Sequence, residues 1–391
     1  MTNDAAEADR RREVREAARG WRRASAIGDA SLQAIREAYP DDRVRLGPAF
    51  RSLAFVFTAL GLNAVFFFVM ALFEPPDRVG GWLALAFGIA LCMLTDVQVR
   101  VWKRCDGGTE TATAGVGLGY VLGAAGWLLS DSGLRDGAVF TTVIALAALL
   151  GAAAARRWGM PIFAAIAALS FFVLLGRSPY GRVLWIVGAA TLTPLLLRHA
   201  DSVRLPPTHR QSIHVVLAIA LVAVYAALNL WSWDHKLIEW IAGGPEPDMR
   251  ASPLRPLAIV GTAVVPLSLV AFGIRSRRRL FLDLGVLLAV VSLVTLRAYV
   301  HVAPAWVVLT ASGGAAVAAA LALRRFLASG TDAERNGFTA EPLFEDVSRQ
   351  GALETAAALA STPHARPAPA EERGFTPGGG GFGGGGGSGE Y

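Results

Sequence analysis

Polar and apolar positions divide the 391-residue chain into three stretches. Residues 1–52 are polar, residues 53–327 form an apolar block of 275 residues, and residues 328–391 are polar again. In the first stretch, residues 5–23 are rich in Ala, Arg and Glu and read as a solvated helix braced by opposite charges four apart. A second helix follows, with Asp29 or Ser31 as its cap, Leu32, Ile35 and Tyr39 on one face and Pro40 at its end.

The apolar block breaks into ten helical stretches: 53–73, 81–95, 112–129, 137–155, 160–176, 183–197, 213–230, 256–273, 280–296 and 302–323. A bilayer crossing takes about 20 residues. Several stretches are shorter, so eight or nine crossings is the other count the pattern allows. Only Arg156, Arg157, Trp158 and Gly159 part the fourth from the fifth, the spacing of a tight helical hairpin. Past residue 327, residues 341–360 read as one short amphipathic helix, 361–377 are rich in Pro and Ala, and 378–389 are almost all Gly. Such a tail has no apolar surface to bury and is expected to be disordered from about residue 361. The expected fold is therefore all-α: a polytopic transmembrane bundle of about ten spans (53–327), a cytoplasmic helical head (1–52) and a cytoplasmic tail (328–391).

Composition narrows the class. At 53% hydrophobic and 17% charged residues, with a mean hydropathy of +0.44, the chain lies outside the range of ordinary soluble domains. A soluble enzyme and a disulfide-stapled secreted domain are excluded, as is an outer-membrane barrel, whose strands alternate over short segments. No short apolar stretch with a small-residue cleavage site precedes residue 53, so the first span is expected to act as an uncleaved insertion signal.

The net charge of +6 could point to nucleic acid until it is located. The head holds 11 Arg against nine acids, the block 22 bases against 13 acids, and the tail four against nine. The excess thus flanks apolar spans, as insertion topology requires and nucleic-acid binding does not. With the head inside, ten spans leave 12 bases in the inner loops against eight in the outer ones and return the C-terminus to the cytoplasm.

Several chemistries lack their motifs. Lys103 follows Trp102 and Lys236 follows His235, so no Walker A sequence exists. The six His show no zinc-protease spacing, and Cys92 with Cys105 cannot complete a four-ligand zinc site. Gly115 and Gly117 are followed by Tyr120 where a dinucleotide fingerprint needs glycine. No catalytic, cofactor or metal residue is assigned, and no cofactor is expected.

Intramembrane polar groups are the remaining candidates. Asn63 lies near the middle of the first span and is read as an interhelical hydrogen-bonding group. Asp283 lies about one turn into the ninth, four residues after Arg279; helix-start pairing is the first reading and a proton or cation relay the second. Gly115, Gly119 and Gly123 recur on one face of the third span, as close helix packing requires, within the monomer or in a homo-oligomer. In the long outer loop, Trp231, Trp233 and Trp240 with Leu237 and Ile241 read as an interfacial segment. Asp234, His235 and Glu239 beside them are either a solvated cluster or an acid–base set for a lipid-linked substrate.

The stretch carrying Trp21, Ser25-Ala26-Ile27, Leu32 and Ile35, then Leu53 onward with Gly61, resembles a family of bacterial integral membrane proteins known as a domain of unknown function. Ser25 stands where that family has glycine. The resemblance implies a many-span bundle behind a short cytoplasmic helical segment, and no particular activity. The function expected is that of a non-enzymatic scaffold or sensor in the bacterial inner membrane. Its expected partners are the lipid bilayer, a cytoplasmic protein or a second copy of the chain, and not nucleic acid. A secondary transporter with a midplane polar site is the alternative, and a membrane-embedded transferase the third reading.

Overall fold

In a computed structural model, residues 3–23, 26–40, 48–102, 107–200, 205, 207–245, 255–299, 305–329, 334–335 and 338–339 are described. The head forms α1 (Asn3–Arg23) and α2 (Asp29–Ala38). Neither Asp29 nor Ser31 caps α2, because Gly28 occupies the cap position and makes no side-chain bond there. Asp29 is instead the first helical residue, where an acid suits the positive helix end. Its carboxylate takes two hydrogen bonds from Arg22, at 2.6 and 2.7 Å, which ties α2 to the end of α1.

Each of the ten predicted stretches overlaps a helix, the seventh running past the end of its helix at Leu228: α3 (Pro48–Phe73), α4 (Asp77–Arg100), α5 (Thr109–Asp131), α6 (Asp136–Trp158), α7 (Pro161–Gly176), α8 (Gly181–Ala200), α9 (Pro207–Leu228), α12 (Arg255–Ser276), α13 (Arg279–Tyr299) and α14 (Ala305–Ala328). Two short helices, α10 (Leu230–Asp234) and α11 (Leu237–Ala242), follow α9. Eight helices among the described residues, α3 to α6, α8, α9, α12 and α13, are long and apolar enough to cross a membrane, which makes this a multi-pass membrane protein. At 16 residues α7 falls short of that length. By its contacts the chain divides into two units, Met1–Pro304 and Ala305–Tyr391. In the second, α14 is followed by a two-residue antiparallel pairing of β1 (Glu334–Arg335) with β2 (Phe338–Thr339). The predicted helix at 341–360 and the glycine tract lie outside the described residues.

Within the first unit, neighbours in sequence pack as pairs: α4 with α5, α6 with α7, α8 with α9, and α12 with α13. The short connections between them allow little else. Helix α9 is the common post, touching α1, α6, α7, α8, α10, α12 and α13. Its Ala220, Ala223 and Ala227 are buried with Phe172, Trp185 and Ile238, while Leu217, Leu221 and Tyr225 meet Leu269, Phe281 and Leu288. At the head end, Glu13 of α1 forms an ion pair with Arg210 in the first turn of α9. Asp96 of α4 accepts two bonds from Arg157 of α6, at 2.8 and 2.9 Å, and a third from the indole of Trp158 at 3.4 Å. A bidentate pair of this kind fixes orientation as well as contact.

Lipid supplies no hydrophobic drive between helices, so tight packing needs backbones that approach closely. In the α4–α5 pair that approach is made by Gly88 and Gly117. A Cβ on Gly88 would stand 2.7 Å from the Gly117 carbonyl oxygen and 2.8 Å from the Val121 nitrogen. Gly115, Gly119 and Gly123, expected to form the packing stripe, have nothing within 4 Å of the place a Cβ would take. Helical geometry accounts for the difference: Gly117 is two residues from Gly115 and Gly119, so it points about 200° away from each, toward α4.

Gly88→Ala should therefore cost about 1–3 kcal/mol through overpacking. Gly119→Ala should be neutral or stabilising by up to about 1 kcal/mol, because alanine is the better helix former. Thermal unfolding of both variants in detergent checks the pair, and equal losses would refute this assignment of the contact. The Arg22 bonds hold the Asp29 carboxyl below the usual carboxylate range. A pKa lowered by folding means stability that is present above the unfolded value of about 3.9 and lost as pH falls through the lower folded value. The protection of the α2 amides, taken as the intrinsic exchange rate over the observed rate at each pH, should thus fall below about pH 4 relative to pH 7, more in the wild type than in Asp29→Asn.

Candidate functional site

Helix α9 ends inside the protein. Asn229 leaves the helical conformation (φ −81°, ψ 132°) and starts α10, its side-chain oxygen accepting the Ser232 amide at 3.1 Å. Asn229 is buried. A helix that ends away from water leaves carbonyls that the protein itself must satisfy. The Ala227 carbonyl receives the indole N–H of Trp233 at 2.7 Å and the Arg182 guanidinium at 3.1 Å. Arg182 also donates to the Ser232 hydroxyl and, at 2.8 Å, to the Ser232 carbonyl. Its guanidinium lies 5.0 Å from the centre of the Trp233 ring. A cation at the C-terminal ends of α9 and α10 is also where the helix dipoles favour one.

A second break is answered from the neighbouring helix. Pro266 lies inside α12 and has no amide hydrogen, so the Thr262 carbonyl four residues earlier loses its helical donor. The hydroxyl of Ser292 on α13 donates to it at 2.6 Å. Serine has one hydrogen to give, so the 2.9 Å contact between Tyr225 and Ser292 runs from the tyrosine hydroxyl to the serine oxygen. Asn229 in turn donates to the Tyr225 hydroxyl at 2.8 Å. The result is one directed chain, Asn229 to Tyr225 to Ser292 to the Thr262 carbonyl, across α9, α13 and α12. The Thr262 hydroxyl bonds the Ala258 carbonyl and accepts the Leu230 amide at 2.9 Å, which satisfies an N-terminal amide of α10. All the side chains in this chain are buried.

Beside this junction lies a cavity of about 310 Å³. Its wall is built by the turn between α7 and α8 (Ser178, Pro179, Tyr180), by Arg182, Val183 and Ile186 of α8, and by Trp233, Ile238 and Leu257. Its floor depends on close backbone approach: a Cβ on Gly244 would stand 2.5 Å from the Gly176 carbonyl oxygen. Its lining residues are apolar apart from Ser178, Tyr180 and Arg182.

The residues singled out from sequence lie elsewhere and apart. Asn63 accepts the Tyr120 hydroxyl of α5 at 3.0 Å and donates to the Ala59 carbonyl at 2.8 Å, an interhelical bond between α3 and α5. It borders a separate cavity of about 410 Å³ that also includes Gly119 and Gly123. Asp283 is exposed and meets Arg279 at 3.1 Å, a local pair of one helix. Asp234, His235 and Glu239 do not converge. Asp234 pairs with Arg255, Glu239 with Lys236, and the His235 ring stacks on Trp231. Trp233, expected at the membrane interface, is buried as a donor, whereas Trp231 and Trp240 are exposed. Among the described residues no three His, Cys, Asp or Glu side chains gather as a metal-ligand set.

Sequence reasoning passed over Arg182, which counted as one flanking charge of a loop. The signal for the second break was present: a proline within an apolar run, preceded four residues earlier by threonine. Compared with protein-family models, curated proteins and solved structures, the chain matches none.

Tyr225→Phe removes the middle of the directed chain and should cost about 0.6–2 kcal/mol, since buried polar groups lose a partner but some find another. Asp283→Asn disturbs only an exposed pair and should cost at most about 1 kcal/mol. Denaturant unfolding in mixed micelles measures both, and a larger loss for Asp283→Asn would show that this acid has a role beyond its pair.

Proposed function

We propose that this chain is a bacterial inner-membrane sensor bundle without an enzymatic role, with ten spans and both termini in the cytoplasm. In this reading it takes a ligand at the end of the bundle away from the head and transmits its presence to the head. The observation that carries the reading is that one helix holds both ends. Near its start, α9 is paired to the head through Arg210 and Glu13; near its finish, Ala227 is bonded to Arg182 in the wall of the cavity. The two points are 17 residues apart, or about 26 Å along a helix. A rod of that length moves as a piece, so a change at the cavity reaches the head.

Exposed Trp21 and Tyr39 give the head an aromatic surface for a cytoplasmic protein. The resemblance over residues 21–61 supports the same placement of the head. A secondary transporter is the second reading, favoured by the interrupted α9 and the proline in α12, since broken helices mark transport sites. The closed hydrogen-bond chain at those breaks favours the sensor.

Two measurements test the proposal. Reporter fusions at Met249 and Tyr391 should report periplasm and cytoplasm respectively, and the reverse at Met249 would overturn the orientation. Glu13→Ala should leave bundle stability within about 1 kcal/mol, as for a partly exposed ion pair, yet increase proteolysis of the head in inverted vesicles several-fold. Unchanged head protection would remove the link on which signalling depends.

A further inference from the structure

We infer that the cavity between α3 and α5 binds the ring of a membrane quinone, one carbonyl of which accepts a hydrogen bond from the Asn63 amide at mid-bilayer. This site is separate from the cavity beside Arg182, so the inference goes beyond the sensor reading and does not rest on it. It concerns binding alone, with no electron transfer.

Three observations carry it. The first is the hydrogen-bonding pattern of Asn63, which lines the cavity. Its amide nitrogen has two hydrogens. One goes to the Ala59 carbonyl at 2.8 Å, and among the described residues the other has no acceptor. The Ala59 carbonyl can only accept, and the Tyr120 hydroxyl donates to the Asn63 oxygen at 3.0 Å, so the orientation of the amide is fixed from both sides. The partner that Asn63 still lacks is therefore an acceptor. The second observation is depth. Tyr120 is the central residue of α5 (Thr109–Asp131), about 16 Å along the helix from either end. A charged headgroup brought to that depth is costly, and so is a hydroxyl or amide whose own hydrogen finds no partner. A quinone meets the need at less cost, because its carbonyls accept, bring no hydrogen to be satisfied and sit on an otherwise apolar ring.

The third observation is shape. Gly119 and Gly123 line the cavity with bare backbone, and nothing lies within 4 Å of the place where a Cβ on either would stand, which leaves a flat strip for a planar ring. Phe66, Phe67, Tyr120 and Trp127 supply aromatic surface around it. The Tyr120 ring is wedged between Phe66 and Phe87, with centroids 4.4 and 5.1 Å away, so the hydroxyl that orients Asn63 is in place before a ligand arrives. At about 410 Å³ the cavity falls within the roughly 300–1,000 Å³ of ligand pockets. Phe67 and Trp127 are exposed on apolar helices, so it opens at the flank of the bundle, where an isoprenoid tail can run out among the acyl chains.

The test titrates the full-length protein in neutral detergent with decylubiquinone, whose ring quenches the fluorescence of a tryptophan beside it. A saturable part of the emission should be quenched, and Trp127→Phe should remove most of that part, because Trp127 lines the cavity. Gly119→Leu and Gly123→Leu put side chains into the open space and should each weaken binding by about tenfold or more, with the unfolding temperature unchanged or raised because leucine is the better helix former. Asn63→Leu should weaken binding about fivefold, the share of one hydrogen bond. If that variant does not fold, the two glycine variants and a competitor decide the matter. Decylbenzene, which keeps the ring and the tail but has no carbonyl, should not displace the probe at equal concentration. Displacement by it would place the affinity in apolar contact alone and overturn the quinone assignment, as would full binding by a folded Asn63→Leu protein. Binding unchanged in both glycine variants would overturn the site itself. A dimer that Gly119→Leu converts to monomer would give this face to a second copy of the chain and overturn the inference as well.

Discussion

The carbonyl of Ala227 is the acceptor on which the head-distal end of this protein depends. A chain that leaves a helix before it reaches water exposes hydrogen-bonding groups to a medium that cannot pair with them, at a cost of several kcal/mol each. Here the indole of Trp233 and the guanidinium of Arg182 answer that carbonyl from two different elements. Meeting the need draws α8, α9 and α10 together, and the turn ahead of α8 then becomes one wall of a cavity. The cavity is thus a consequence of how a broken helix is capped.

The same accounting explains the neighbouring helices. Pro266 frees one carbonyl, Ser292 closes it, and the demand passes through Tyr225 to Asn229, the residue at which α9 stops. Two interruptions in different helices are therefore answered by one connected set of groups. Such a set is stable only when every member is satisfied, which favours a single packing of α9, α12 and α13 over several loose ones. It also gives a physical basis for signalling through α9, because neither end of that helix can shift without disturbing bonds to a neighbour.

Much of the architecture was legible in the chain itself. The apolar stretches mark the helices of the block, eight of which among the described residues are long and apolar enough to cross a membrane, because burial in lipid demands long runs without charge, and such runs are visible one residue at a time. The head helices follow from Leu32, Ile35 and the alternating charges, and the absence of nucleotide and zinc motifs follows from the neighbours of Lys103, Lys236 and the histidines. Asn63 bonds Tyr120 across α3 and α5, and a lone amide in an apolar helix has few other uses. Asp283 pairs with Arg279 because four residues is a local distance that any helix closes.

What the sequence could not decide were relations between residues far apart in it. Three glycines in a row of fours looked like the packing face, yet Gly117 between them meets Gly88, since which side of α5 turns to α4 depends on how the pair docks. Arg182 looked like one more flanking charge, because its acceptors lie 45 and 50 residues away and appear only when α9 breaks beside α8. Trp233 looked like its exposed neighbours Trp231 and Trp240 until the fold buried it. Length and hydropathy are properties of segments and determine where helices form; capping, close approach and cavities are properties of pairs, and only the tertiary structure brings the pairs together.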